Sequence, residues 1–96
     1  MLVLVTYDVN TETPAGKKRL RKVAKLCENY GIRVQNSVFE CQIDAAQYVL
    51  LTHGLKSLID EETDSLRFYN LGNVYKNKTL HIGAKPMFDV TDPLIL

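Results

Sequence analysis

The 96-residue sequence has no tryptophan, only three prolines and only two cysteines. Cys27 and Cys41 do not form a Cys-X-X-Cys pair, so we expect no zinc site. Both fall within apolar patterns, which predicts reduced, buried thiols in a cytoplasmic protein. No stretch approaches the roughly 20 apolar residues that a membrane span requires, and the N-terminal apolar run lacks the basic leader of a signal peptide. The sequence therefore predicts no membrane association.

Several motifs that would define an enzyme class are also missing. A Gly-Lys pair at residues 16–17 suggests a phosphate-binding loop, but Thr11 replaces its first glycine and Lys18 replaces its hydroxyl residue. His53 and His81 have no neighbouring Ser, Cys or Asp arrangement that would support a nucleophile. The aromatic motifs of an RNA-recognition module are absent as well. These absences argue against a nucleotide hydrolase, a nucleophilic hydrolase and an RNA-recognition module.

The net charge of +1 conceals an uneven distribution of charge. Between Pro14 and Gln35, seven basic residues stand against one acid, Glu28, which is a local excess of +6. The basic residues are Lys17, Lys18, Arg19, Arg21, Lys22, Lys25 and Arg33, and the compensating acids include Asp60, Glu61, Glu62 and Asp64. Such a bipolar surface can attract a polyanion on one side without a high overall isoelectric point.

Residues 1–9, MLVLVTYDV, form the apolar run around which the chain is organised. A short run of this kind, rich in β-branched residues and free of Gly and Pro, predicts a buried strand. The run ends on Asp8, and a carboxylate there is costly to desolvate unless it is paired, hydrogen-bonded or bound to a cation. Two interpretations follow: Asp8 turns outward and caps the next loop, or it is a metal ligand.

The next element is a helix that begins at Pro14 after the N-cap residue Thr13 and ends near Tyr30, where Gly31 supplies a left-handed stop. Its apolar positions follow helical spacing, at Leu20, Val23, Ala24 and Cys27. Five basic residues share a sector of about 140° on the other side, and Arg19 lies apart at the opposite border of the apolar stripe. The basic face is interpreted either as a solvated surface or as an anion-binding surface.

The second half of the chain alternates between strands and a helix. Between residues 32 and 44 the apolar positions change from even to odd numbers, which predicts a bulge or bend near Asn36–Ser37. Asp44 can cap a second helix, whose apolar stripe is Tyr48, Leu51, Leu55, Leu58 and Ile59. Residues 65–71 and 79–83 are predicted as further strands, with a turn at Gly72–Asn73.

This order of elements is typical of the α+β ferredoxin-like βαββαβ fold. We expect a single domain over residues 1–96, with residues 84–96 as a docked C-terminal tail that adds an edge strand within the chain or on a partner. A strand-end carboxylate near a basic surface suits metal-assisted phosphodiester chemistry. One Asp is too few for a divalent cation, but a two-fold dimer would bring a second Asp8 to the axis.

Three sequence motifs now identify a family resemblance. The stretches LVTYDVN at 4–10, KRLRKVAKLCENYG at 18–31 and RVQNSVFEC at 33–41 resemble the small CRISPR-associated spacer-acquisition protein, the ferredoxin-like partner of the CRISPR integrase. SLRFYNLG at 65–72 also fits, so the resemblance covers nearly the whole chain. The chain is most similar to the subgroup that accompanies type I-C systems.

The resemblance implies a cytoplasmic homodimer that exchanges its tail strand and works with the CRISPR integrase. It implies a weak Mg²⁺-dependent endonuclease, with Mn²⁺ as a possible substitute, in which Asp8 is the catalytic and metal-binding residue. The implied substrate is double-stranded DNA, with RNA as the other polymer associated with the family. Nucleic-acid-binding or site-shaping roles are expected for Tyr7, Lys17, Lys18, Arg19, Arg21, Lys22, Arg33, Ser37 and Phe39.

The chain departs from the family pattern after Asp8, where Asn10 and Thr11 replace the acidic residues of many members. Two further hypotheses therefore stand beside the nuclease. In one, a non-catalytic dimeric scaffold binds duplex DNA through the basic helix and bridges integrase units, with Asp8 structural. In the other, which rests on fold class alone, the domain binds a small-molecule regulator.

Overall fold

The computed structural model of the protein describes residues 1–73 and 79–83. These residues form the α+β ferredoxin-like order that the sequence predicts, with two helices packed on one face of an antiparallel four-stranded sheet. The elements are β1 (Leu2–Asp8), α1 (Pro14–Glu28), β2 (Ile32–Gln35), β3 (Val38–Gln42), α2 (Ala45–Leu58) and β4 (Ser65–Asn70). The strands are arranged in the order β2-β3-β1-β4.

Strand β1 occupies the middle of the sheet and determines which residues face the helices. It pairs with β3 on one side and with β4 on the other, both antiparallel. Val3, Val5 and Tyr7 are buried in the core beneath the helices. Because side chains alternate along a strand, Leu4, Thr6 and Asp8 lie on the opposite, helix-free face of the sheet.

Helix α1 begins as the sequence predicts, but it ends for a different reason. The Thr13 hydroxyl accepts a hydrogen bond from the Gly16 amide at 3.0 Å, and Pro14 occupies the first helical position. The helix ends at Glu28, and Gly31 does not adopt the predicted left-handed conformation. A Cβ atom at Gly31 would collide with the Glu40 carbonyl oxygen and with Cys41. Glycine is therefore needed there for close packing against β3.

The predicted bend in residues 32–44 is confirmed as the turn of a hairpin. Asn36–Ser37 connects β2 to β3. The bulge lies slightly earlier, where the register of the two strands shifts between Arg33 and Gln35. Before the bulge, Arg33 pairs with Phe39 and Ile32 pairs with Glu40. Because paired residues share a face of the sheet, Ile32 lies on the face opposite Phe39, and the change from even to odd numbers reflects apolar residues on both faces of this hairpin.

Helix α2 has the predicted cap and apolar stripe. The Asp44 side chain accepts a hydrogen bond from the Gln47 amide at 2.8 Å, and the Gln47 side chain accepts one from the Asp44 amide at 3.0 Å. Such a reciprocal capping box satisfies two amides at the helix start. Leu51 and Leu55 are fully buried, with the rest of the stripe packed at their border.

The last two predicted strands have different outcomes. Strand β4 confirms the prediction for residues 65–71 with an end at Asn70, and Gly72 has the positive φ angle of +86° that suits a turn. The strand predicted at residues 79–83 is wrong, because these residues form no strand and are all exposed. The alternation there covers only three residues, which is too short a pattern to require a sheet partner. The predicted tail at 84–96 lies outside the described residues.

The two cysteines are free and buried, as predicted. Burial raises the pKa of both Cys27 and Cys41 to about 12, which keeps the thiols protonated near neutral pH. Among residues 1–73 and 79–83, no helix is long and apolar enough to cross a membrane.

Candidate functional site

Asp8 lies at the last position of the central strand, with its carboxylate exposed. In the ladder between β1 and β4 it stands opposite Ser65, at the start of β4. The Asp8 carboxylate makes no hydrogen bond or ion pair with any residue that the structure describes. Capping of α1 is carried out by Thr13, and Asn10 accepts a hydrogen bond from the Glu12 amide at 2.9 Å. The structure therefore removes the capping interpretation and leaves Asp8 available to a ligand.

The surroundings of Asp8 form a shallow depression of about 440 Å³ on the surface. It is lined by Thr6, Tyr7, Asp8, Ser65, Leu66 and Arg67. Carboxylate and hydroxyl oxygens are ligands that hard cations such as Mg²⁺ accept. Within the described part of the chain, however, no three His, Cys, Asp or Glu side chains come together. A single chain thus offers suitable oxygen chemistry but only one carboxylate.

Tyr7, Phe39 and Arg33 form a second cluster, on the helix side of the sheet. The rings of Tyr7 and Phe39 stack with centroids 6.2 Å apart, and the Arg33 guanidinium lies 5.2 Å from the centroid of the Phe39 ring. The Tyr7 amide donates to the Ser37 carbonyl at 3.1 Å, and the Tyr7 hydroxyl donates to the Asn36 carbonyl at 3.3 Å. The cluster ties the β2–β3 turn to the end of β1, directly before Asp8.

The aromatic members of this cluster are not available to a nucleic acid. Phe39 is fully buried and Tyr7 is 6% exposed. Burial raises the pKa of Tyr7 above its ordinary value, although the charge of Arg33 opposes that rise. Tyr7 therefore remains a neutral hydroxyl near neutral pH. This geometry limits Tyr7 and Phe39 to shaping the strand end, whereas Arg33 remains exposed at the edge strand β2.

The basic residues of α1 are exposed on its solvent side, away from the core residues Val23, Ala24 and Cys27. Because α1 covers one face of the sheet and Asp8 belongs to the other, the basic face and Asp8 lie on opposite sides of the sheet. The structure therefore does not bring them into one site within a single chain. The residues of this basic face are Lys17, Lys18, Arg21, Lys22 and Lys25.

Arg19 differs from the basic face, as its angular position on the helix predicts. Its Nε donates to the buried carboxylate of Asp64 at 2.8 Å, the one ion pair among residues 1–73 and 79–83. From the sequence, Asp64 was identified only as one of the acids that compensate the basic residues, and its contact with Arg19 was not predicted. No local signal distinguishes Asp64 from the acids beside it, since its partner is 45 positions away in the chain.

Burial by itself would raise the pKa of Asp64, but its hydrogen bonds more than offset that effect. The hydrogen bond from Arg19, followed by those from the amides of Asp60 and Asn10, lowers the pKa of Asp64 to about 2. Asp64 is therefore ionised at physiological pH and carries the negative charge that pairs with Arg19.

The fold and this site define a class: small ferredoxin-like α+β proteins with an exposed carboxylate at the end of the central strand and a basic first helix. Residues 1–79 match the model of the family described as CRISPR associated protein Cas2. The chain belongs to the Cas2 family.

Relatives and solved structures agree with this assignment. The chain is 66% identical over 95 residues to a protein of Halalkalibacterium halodurans named CRISPR-associated endonuclease Cas2, with 99% of each chain covered. It is 58% identical over 96 residues, covering all of both chains, to one of Chlorobaculum tepidum named CRISPR-associated endoribonuclease Cas2. The crystal structure of Streptococcus pyogenes Cas2 at pH 6.5 is similar with a TM-score of 0.76 and 61% identity, covering 86% of this chain and 100% of that one.

Proposed function

We propose that this chain is a metal-dependent endonuclease of CRISPR spacer acquisition, with double-stranded DNA as its substrate and the CRISPR integrase as its partner. The observation that carries the proposal is the exposed carboxylate of Asp8, which ends a buried central strand without any partner among the described residues. Retaining an unpaired acid at that position is reasonable if it holds a cation. The sequence motifs favour the type I-C-like subgroup of the family.

A homodimer would complete the donor set around Asp8. The helix-free face of the sheet carries Leu4, Val38 and Tyr69 beside Thr6, so it offers apolar surface that a second copy can cover. A two-fold axis near the end of β1 would place the second Asp8 beside the first. Two carboxylates with neighbouring hydroxyl groups suit Mg²⁺, or Mn²⁺ in its place. Exchange of the tail at 84–96 would extend the same interface.

The chain's own residues would divide the work of phosphodiester hydrolysis. A bound Mg²⁺ supplies polarisation of the phosphate and a coordinated water of lowered pKa. Asp8 would hold the cation, and Arg33 and the basic face of α1 would hold parts of the nucleic-acid backbone away from the cleavage site, since they lie on the other side of the sheet. Tyr7, Ser37 and Phe39 would fix the end of β1 through the contacts described above.

Double-stranded DNA and RNA are the two candidate substrates, and the names of the relatives differ on this point. The Halalkalibacterium halodurans relative is named an endonuclease, whereas those of Chlorobaculum tepidum and Nitratidesulfovibrio vulgaris are named endoribonucleases. We propose double-stranded DNA because the type I-C-like subgroup that the sequence resembles is associated with it; the name of the relative that is 66% identical specifies neither polymer, and the two endoribonucleases are 58% and 56% identical. A direct comparison of the two polymers tests this choice.

The test is a cleavage assay on duplex DNA and on RNA with the wild type and Asp8→Ala, each with Mg²⁺ and with a chelator. We expect cleavage of duplex DNA that requires both the metal and Asp8. Glu12→Ala is the matched control, because it removes an exposed carboxylate only four positions away in the chain. Cleavage that survives in Asp8→Ala, or is lost equally in Glu12→Ala, would contradict the proposed role of Asp8.

A non-catalytic scaffold is the second candidate function. It is favoured by the position of the basic face, which lies on the opposite side of the sheet from Asp8. A duplex bound along α1 would then not contact Asp8 of the same chain. The scaffold interpretation expects Asp8→Ala to bind duplex DNA and the integrase as the wild type does, with no metal-dependent cleavage by either protein.

A further inference from the structure

Asp64 has the most extensive set of polar contacts on any side chain in the described part of the molecule. Its Oδ1 accepts hydrogen bonds from the Asn10 amide at 2.9 Å and from the Thr63 hydroxyl at 3.2 Å. Its Oδ2 accepts from Arg19 Nε at 2.8 Å and from the Asp60 amide at 2.9 Å. The side chain has no exposed surface at all. These four hydrogen bonds satisfy the roughly four acceptor positions of the ionised carboxylate.

The partners of Asp64 belong to three separate segments that meet beside Asp8. Asn10 is two positions after Asp8 in the loop that leaves β1. Arg19 belongs to α1, and Asp60 begins the turn that leads into β4. Ser65, directly after Asp64, stands opposite Asp8 in the ladder of β1 and β4. The carboxylate of Asp64 thus fixes both the exit from β1 and the entry to β4, which are the two backbone segments that flank Asp8.

The loop after Asp8 is also held from its other side. A Cβ atom at Gly16 would collide with the Asn10 carbonyl oxygen, so the first turn of α1 lies directly against this loop. The Asn10 amide donates to Asp64, while its carbonyl faces Gly16. The amide of Asn10 is hydrogen-bonded and its carbonyl packs against Gly16, so the backbone that leaves β1 is held on both sides, two residues after Asp8.

We propose that Asp64, together with Arg19, is a positioning residue for the Asp8 metal site. The inference rests on the proposed function, because it assigns Asp64 the task of placing the metal-binding carboxylate. It does not assign Asp64 any contact with metal or substrate. Groups that hydrogen-bond directly to a metal ligand change metal affinity by about 10-fold to 100-fold when they are removed. Asp64 acts through the backbone on either side of Asp8, so we expect an effect at the lower end of that range.

The two oxygens of Asp64 make Asp64→Asn an informative variant. If the asparagine oxygen takes the place of Oδ1, the bond from Asn10 is kept, but the new amide group faces two donors, Arg19 Nε and the Asp60 amide. Arg19→Gln offers a rescue, because its side-chain amide ends where Nε of arginine lies. In the double variant, the glutamine oxygen can accept a hydrogen bond from the asparagine amide.

The experiment measures Mn²⁺ binding by electron paramagnetic resonance. Asp8→Ala lacks the metal-binding carboxylate and defines the signal in the absence of Mn²⁺ bound at this site. We expect Asp64→Asn to weaken Mn²⁺ binding by about 10-fold and the double variant with Arg19→Gln to recover part of the loss. Glu62→Gln is the matched control, because it neutralises an exposed acid two positions from Asp64. Unchanged Mn²⁺ binding in folded Asp64→Asn would overturn the inference, and so would equal weakening in Glu62→Gln.

A second variant and a second measurement cover the cases in which Asp64→Asn does not fold or no Mn²⁺ binds. If Asp64→Asn does not fold, Arg19→Met removes the Arg19 donor and leaves the other three bonds, and the same direction of change is expected. If wild-type protein binds no Mn²⁺ through Asp8, the proposed function fails. The amide resonances of Asp8 and Ser65 in Arg19→Met then test positioning independently. Resonances that stay where they are in the wild type would overturn it.

Discussion

Asp8 and Asp64 show how the same side chain has opposite environments in one small fold. Asp8 ends a strand on the helix-free face, is exposed and has no partner among the described residues. Asp64 is buried and accepts four hydrogen bonds. A buried carboxylate without partners would be neutralised or would destabilise the fold. Of these two acids, only Asp8 is therefore free to bind a ligand, whereas Asp64 stabilises the fold.

The lowered pKa of Asp64 predicts a pH dependence of stability. The folded pKa of about 2 is below the ordinary value of 3.8, so the ionised form is stabilised by folding. This contribution is fully present above the ordinary pKa and is lost as the pH falls through the folded value. We expect the wild type to lose its advantage over Asp64→Asn in free energy of unfolding as the pH falls from about 4 to about 2.

Urea unfolding of both proteins at a series of pH values measures this difference. Glu62→Gln serves as the control, since an exposed acid should show no comparable change over the same range. A difference between wild type and Asp64→Asn that stays constant down to the lowest pH would contradict the assignment.

The buried thiols give a second prediction at the residue scale. The pKa values of Cys27 and Cys41, raised to about 12 by burial, leave almost no thiolate at about pH 8, where thiol reagents are used. We expect both thiols to resist labelling in the native protein and to react at once in denaturant. A rate of labelling that is independent of unfolding would show that one of them is exposed.

Residue-scale predictions from the sequence succeed where the local pattern carries the information. The position of Asp8 at the exposed end of a strand was predicted because it ends an apolar run. The caps Thr13 and Asp44 were found because each stands directly before a helical pattern. Asp64 was missed because it is one of four acids within five positions, and its burial depends on Arg19 in another element. A contact of that kind is set by the assembled fold, which local patterns do not record.

At the scale of elements, the even or odd numbering of apolar residues along a strand predicted the position of the turn better than composition did. The change from even to odd apolar positions located the β2–β3 hairpin, although its cause is that Arg33, and not Ile32, stands opposite Phe39, so that the apolar residues of β2 and β3 lie on different faces. The pattern at 79–83 failed since three alternating residues require no partner strand. The reason for Gly31 was also wrong, because sequence reports glycine but not whether φ or close packing demands it.

Alanine substitutions at two glycines test whether close packing requires glycine at each position. A methyl group at Gly31 would collide with the backbone of β3, so Gly31→Ala should destabilise the protein by about 1–3 kcal/mol. A methyl group at Gly54 would meet only the end of the flexible Leu26 side chain, at 2.8 Å. Gly54→Ala should stabilise helix α2 by about 1 kcal/mol, because alanine has the higher helix propensity. Chemical denaturation should therefore separate the two variants, and equal destabilisation would contradict this account.

At the scale of the whole molecule, the sheet separates two surfaces with different chemistry. One side presents the exposed lysines and Arg21 of α1, and the other presents Asp8 on the same face as Leu4, Val38 and Tyr69. Dimerisation through the helix-free face would place both Asp8 carboxylates inside the assembly and leave both basic faces outside. Duplex binding and metal binding are then expected to be separable properties.

Salt dependence of duplex binding tests this separation. Each phosphate contact that a basic side chain makes steepens the slope of log K against log salt by about 0.9. Replacing Lys18 and Lys22 together with Gln should therefore reduce the slope by about 1.8, since both are exposed on α1. Asp8→Ala should leave the slope unchanged. Lys56→Gln, on α2, is the control for the loss of a lysine elsewhere. An equal reduction in Lys56→Gln, or none in the α1 variant, would show that the duplex does not lie along α1.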